Sequence, residues 1–199
     1  MHIDENVAKS ITLNHPATLW YTLCFSALPM ALIADDLSRV SIHLATMQKS
    51  IARHDLPIWR QLTRCFESIL LIRQDKPEEG LRGLSETLSE MDQQGASPFY
   101  SLLRCEGVQG MAMLGLNQQA LATIDETIRI ASSRDERWFL PELLRVKGQL
   151  LLKDATPSSR KYVNELLNQA LIQAENQGAG FWRARIAFDL AQSVALTRP

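Results

Sequence analysis

Apolar residues along this chain recur at steps of three and four, and no stretch alternates with the period of two that a half-buried strand needs, so the pattern predicts an all-α protein. The clearest stretch is Glu136 to Leu152, ERWFLPELLRVKGQLLL. There Phe139, Leu143, Leu144, Val146, Leu150 and Leu151 line one side of a helix, and Gly148 is the point where a neighbouring helix could approach closely. Residues 1–15 are polar and are expected to form a poorly ordered leader, and residues 16–197 a single helical domain. Pro16 suits a first helical position and opens a helix to about Ala34, with a kink or break expected at Pro29. Asp35-Asp36 cap a second helix from Leu37 to Arg53, whose stripe is Leu37, Val40, Leu44, Met47 and Ile51. After the turn His54-Asp55-Leu56-Pro57 a third helix runs from Pro57 to Arg73. A fourth starts at Pro77, has Glu78 and Glu79 in its first turn, and ends near Gln93 with Gly95 as C-cap. Ser97-Pro98 opens a fifth, which reaches Leu114. Gln118 to Ser132, Glu136 to Leu152, Ser158 to Asn176 and Phe181 to Leu196 complete the series.

Laid over one another, the odd-numbered segments share a column of mostly small residues, Pro29, Ser68, Gly110, Gly148 and Ala191, at spacings of 39, 42, 38 and 43. Nine residues earlier stand Trp20, Trp59, Phe139 and Trp182; before Gly110 the residue is Ser101, with Tyr100 adjacent. The even segments share Val40, Gly80, Ala120 and Val163, each followed seven residues on by Met47, Thr87, Thr127 or Ala170. Two helices per roughly 40 residues, with small residues where helices cross, is the signature of a helix-hairpin solenoid, about four hairpins and a terminal helix. Aromatic residues at a fixed offset would fill the wedge between successive hairpins.

Composition fits a folded, soluble chain: 199 residues, 46% apolar, 22% charged, enough to bury a core without metal or disulfide. A net charge of -1 with no basic run longer than two residues argues against direct nucleic-acid binding. The N-terminus lacks the basic and apolar regions of a signal peptide, and the apolar stretch Leu19 to Ala34 falls short of the roughly 18 residues of a membrane span and reads as a buried helix. Cys24, Cys65 and Cys105 lie 41 and 40 residues apart, close to the repeat period, without the spacing of a zinc site. They read as small buried residues in a reducing cytoplasm. His2, His15, His43 and His54 show no ligand spacing, so no metal is expected. No nucleophile elbow or phosphate loop occurs, so neither catalytic residues nor a cofactor are expected.

Glu136 to Leu152, followed by LLNQALIQAENQGAGFWRARIAFDLAQSVA, resembles the tetratricopeptide-like C-terminal region of bacterial regulators built around a signal-transduction P-loop ATPase. In that family the ATPase is preceded by a winged-helix or nucleotide cyclase domain. HPATLWYTL and KPEEGLRGLSETL match earlier repeats of the same family, so the resemblance covers most of residues 15–197. It implies a tetratricopeptide-like superhelix and a non-enzymatic role in effector sensing or protein binding. No Walker motif, winged helix or cyclase segment occurs here, so those activities do not carry over. Family members continue beyond the last helix, whereas this chain stops at Arg198-Pro199.

In such solenoids the first helix of each pair lines the concave face. Arg60, Arg64, Arg104, Arg145 and Arg183 are therefore the candidates to grip an acidic protein segment or a small carboxylate or phosphate effector. Glu67, Glu106 and Glu142 lie near them and favour the alternative of a mutually neutralising ladder of ion pairs. Three expectations follow for the last helix: the chain is a fragment of a longer protein, or the helix is a cap, or it presents Phe181, Ile186, Leu190 and Val194 to a second chain as a homodimer, which is the structural alternative to a sensing role.

Overall fold

A computed structural model describes residues 3–52, 56–93, 99–153 and 157–195, and every regular element among them is helical. The helices are α1 (Ile3–Thr12), α2 (Pro16–Ile33), α3 (Leu37–Ile51), α4 (Pro57–Arg73), α5 (Pro77–Gln93), α6 (Tyr100–Met113), α7 (Asn117–Ser133), α8 (Leu140–Leu152), α9 (Pro157–Asn176) and α10 (Gly180–Ala195). The expected turn at His54 and Asp55, the Gly95 cap and the Ser97-Pro98 start lie outside the described residues, as do His2 and the side chain of Val194. Where one domain from residue 16 is expected, the chain packs as two compact units, residues 1–97 and 98–199.

Helices end where the turn residues place them. Asp35, Asp75, Gly115, Asp135 and Gly178 all take positive φ, from 57° to 72°. Beyond each, the next amide donates to a carbonyl five residues back: Asp36 to Ala31, Lys76 to Leu71, Leu116 to Met111, Glu136 to Ala131 and Ala179 to Ala174. This is the Schellman closure, which satisfies carbonyls left open at a helix end and favours Gly, or a short polar residue, in the left-handed position. The first three stand at residues 35, 75 and 115, a period of 40. Asp36 caps α3 by accepting the Arg39 amide at 3.0 Å, whereas Asp35 makes the turn itself and pairs with Arg73 at 3.3 Å.

The repeat columns are buried positions. Val40, Ala120 and Val163 are inaccessible, Gly80 is buried, and Met47, Thr87, Thr127 and Ala170 beneath them are at most 1% exposed. Of the odd column, Ala191 alone faces solvent. The aromatic column also lies inside, as Trp20, Trp59, Tyr100, Phe139 and Trp182, with Tyr100 taking the place that strict spacing gives to Ser101. In each unit the rings of successive odd segments touch: Trp20 and Trp59 lie 5.7 Å apart, and Phe139 and Trp182 5.4 Å apart, edge to face.

Three local outcomes differ from expectation. The leader is a helix: α1 buries Val7 and Ser10, and Ser10 Oγ lies 2.9 Å from Thr22 Oγ1 of α2. Helix α2 passes through Pro29 without breaking, because five residues just before it, Leu23–Ala27, adopt a π-helical turn. The proline's missing amide and ring clash are absorbed there by a wider turn instead of a kink. As a result α2 spans 18 residues, long and apolar enough by length and composition to cross a membrane, yet half of that window is buried within the protein. Before α8, Arg137–Phe139 form a 3-10 turn, and the α-helix proper begins one residue before Pro141, which has no amide to give to the first turn.

The α1 helix also brings Asp4 to within 3.9 Å of His43 on α3 and 3.3 Å of Arg39. His43 is buried, and burial holds its pKa below the ordinary 6.5 despite the opposing charge of Asp4. Unfolded chains therefore take up a proton at this site before native ones do, and stability is expected to fall as pH drops below about 6.5. His43→Gln should flatten that slope; urea midpoints of both proteins between about pH 5 and 7.5 measure it, and parallel curves would assign the slope to other groups.

Candidate functional site

In the first unit the α4 arginines stand on a helix whose core face is Leu62, Cys65, Phe66 and Ile69, all inaccessible. Arg60 is exposed, and Arg64 donates to Glu90 of α5 at 2.8 Å. Glu67 accepts from Gln48 at 2.6 Å. Trp59 is the centre of an aromatic cluster, with Tyr21 at 4.9 Å and Phe25 at 6.1 Å, both edge-on, while Trp20 donates its indole N–H to Ser50 Oγ at 2.9 Å. Tyr21 and Phe25 remain exposed.

In the second unit the candidates separate. Arg104 lies over the Tyr100 ring at 5.1 Å, as does Arg134 at 5.0 Å. Arg183 is exposed. Arg145 is 3% exposed and bound on all sides. Its Nε and Nη2 donate to the two oxygens of Glu142, each at 2.7 Å, and its Nη1 donates to Asp189 of α10 at 2.7 Å. Asp189 also accepts from Gln149 at 2.9 Å, and Arg185 lies 3.2 Å from Glu142. Burial alone would lower the guanidinium's pKa, but the hydrogen bonds and charges of Glu142 and Asp189 outweigh it and hold it above the ordinary value. Two carboxylates face two guanidiniums, so the network is neutral within itself. Arg145 therefore joins α8 to α10 and, buried against two carboxylates, is not presented to an outside anion, a correction to its place among the groove residues.

A chain of rings, buried at its centre, reaches solvent through two of its members. Phe99 meets Trp138 at 6.1 Å, Trp138 meets Phe139 at 4.9 Å, Phe139 meets Trp182, and Trp182 meets Phe181 at 5.1 Å. Trp138 is 39% and Phe181 48% exposed, and the Arg185 guanidinium lies over Phe181 and Trp182 at 5.7 and 5.9 Å. Arg185, Asp189 and Trp138 are absent from the sequence-based candidates. The signal was the helical step: from Trp182 one face continues through Arg185, Ile186 and Asp189, whereas Arg183 points about 100° away. The proposed dimer face does not assemble either. Ile186 is inaccessible within its own unit and Leu190 half-buried; Phe181 and Phe188 are the exposed large apolar side chains among the described residues of α10.

All three cysteines are free and buried, and burial pushes the Cys24 and Cys65 thiols up to about 12, so both are protonated and inert at neutral pH. Among the described residues no group of three or more His, Cys, Asp or Glu side chains is placed to hold a metal ion. No protein-family model, curated protein or solved structure matches this chain.

Proposed function

We propose that the chain is a tetratricopeptide-like interaction module, the effector-sensing or protein-binding part of a bacterial signalling or transcriptional regulator. Its second unit takes an extended protein segment across the rings of the 3-10 turn before α8 and of the start of α10. The observation that carries this reading is the exposure of Trp138 and Phe181 on either side of the buried rings Phe139 and Trp182, with Arg185 laid over Phe181 and Trp182. Exposed aromatic surface offers large contact area at low entropic cost, and the Arg185 guanidinium beside it, 35% exposed, has N–H groups beyond its one contact with Glu142 for an acidic side chain. The buried repeat columns and the 40-residue period of the turns support the superhelical reading, and three free, buried cysteines fit a reducing cytoplasm. The structural alternative, a homodimer without a ligand, has Phe181 and Phe188 in its favour, seven residues apart on α10 and both exposed.

One experiment separates the two. A displayed peptide library is selected on the whole chain, and binders are compared on the wild type and on Trp138→Ala/Phe181→Ala, with masses from light scattering. The segment reading expects binders rich in acidic and apolar residues that lose affinity about tenfold or more on the variant while its helicity is unchanged. Binders indifferent to both substitutions would sink the ring-row assignment. A mass that halves in the variant would establish the homodimer instead.

A further inference from the structure

The first unit contains a cleft unrelated to the arginine row. It is about 250 Å³ and is lined from α1, the turn after it, α2 and α3 by Ser10, Ile11, Asn14, His15, Pro16, Leu19, Thr46, Lys49 and Ser50. That is just below the roughly 300 Å³ at which small-molecule sites usually begin. Three of its side chains offer a donor. Ser50 Oγ already accepts the Trp20 indole N–H, so its own proton is free to be donated. His15 Nδ1 accepts the Thr18 amide at 3.3 Å, which places the proton of the neutral ring on Nε2 as a second donor. Lys49 adds an ammonium that makes no ion pair among the described residues, and no carboxylate lines the cleft. The same cleft is lined by the apolar side chains Ile11, Pro16 and Leu19, and Ile11 is half exposed.

The Ser50 and His15 donors, a cation with no ion pair among the described residues, and apolar side chains in one cleft together select an amphipathic anion. We propose that this cleft binds a small monocarboxylate with a short aliphatic tail, the carboxylate against Lys49, Ser50 and His15 and the tail against Ile11, Pro16 and Leu19. The site is independent of the reading given to the second unit. It also gives the α1 helix a purpose, because α1 and its turn supply Ser10, Ile11, Asn14 and His15, and without them the cleft has one wall fewer.

The test uses the indole N–H of Trp20, whose hydrogen bond to Ser50 ends in the cleft. Nitrogen-15-labelled full chain is titrated at constant ionic strength with sodium hexanoate, sodium acetate and 1-hexanol, and the Trp20 indole resonance is followed. Hexanoate is expected to shift it saturably. Acetate, lacking a tail, and hexanol, lacking a charge, should each bind about tenfold more weakly or worse, and Lys49→Gln should weaken hexanoate by a similar factor. Lys49 is exposed and its removal disturbs no core contact, so the variant remains folded and interpretable. No saturable shift with hexanoate, equal binding of acetate, or undiminished binding to Lys49→Gln would each overturn the proposal.

Discussion

Arg145→Met is expected to cost about 3–5 kcal/mol of stability, because it strands two carboxylates in a place built for their neutralisation. Glu142 is 3% and Asp189 7% exposed, and in the wild type both are held by the same guanidinium through three bonds of 2.7 Å. Methionine fills much of the volume but offers neither charge nor donor. Gln149 and Arg185 are left to serve Asp189 and Glu142, each with a single contact. The loss arises from the uncompensated charges and not from the missing side chain, so it should be largely reversed in Arg145→Met/Glu142→Gln/Asp189→Asn, where neutral amides replace the carboxylates. Urea unfolding of wild type, single and triple variants measures this directly. A single variant within about 1 kcal/mol of wild type would mean that the pair is far wetter than its burial implies.

Gly80→Ala should also destabilise, by about 2–3 kcal/mol net, although alanine is the better helix former by about 1 kcal/mol. A Cβ at Gly80 would lie 2.4 Å from the Ser68 carbonyl oxygen and 2.8 Å from the Ile72 amide nitrogen. Both are backbone atoms of α4 and cannot rotate aside, so α4 and α5 would have to move apart along the tightest crossing of the first unit. Gly180→Ala is the control, since nothing lies within 4 Å of its added methyl, and it should shift the denaturant midpoint little. A Gly80→Ala protein as stable as wild type would show that the two helices separate at little cost. The same column position is occupied by Val40 and Ala120 elsewhere, so the close approach belongs to this hairpin and not to the repeat as a whole.

Most of the helices, several of their ends and the repeat columns were legible in the amino-acid order because each depends on interactions within a few residues or on a period. Asp75 and Gly115 stop helices through their own backbone preference, and Val40, Gly80, Ala120 and Val163 fall on buried faces because a helix repeats every 3.6 residues. The aromatic column could be read the same way, down to Tyr100 standing in for Ser101.

The candidate site was less legible. Arg145 and Arg183 look alike as arginines on odd helices, yet one is sealed against an aspartate 44 residues away and the other faces water. Ile186 and Phe188 are both apolar residues of the last helix, and the first is in the core while the second is not. Likewise α1 reads as a polar leader and gains its place through Val7, Ser10 and Asp4, whose partners lie on α2 and α3. Sequence by itself therefore determined the all-helical class, most of the helices and the buried repeat columns, since those follow from local backbone preference and periodicity. Only the tertiary structure decided which charges neutralise one another, which rings stay exposed and what the leader packs against, because those depend on side chains that folding brings together from distant parts of the chain.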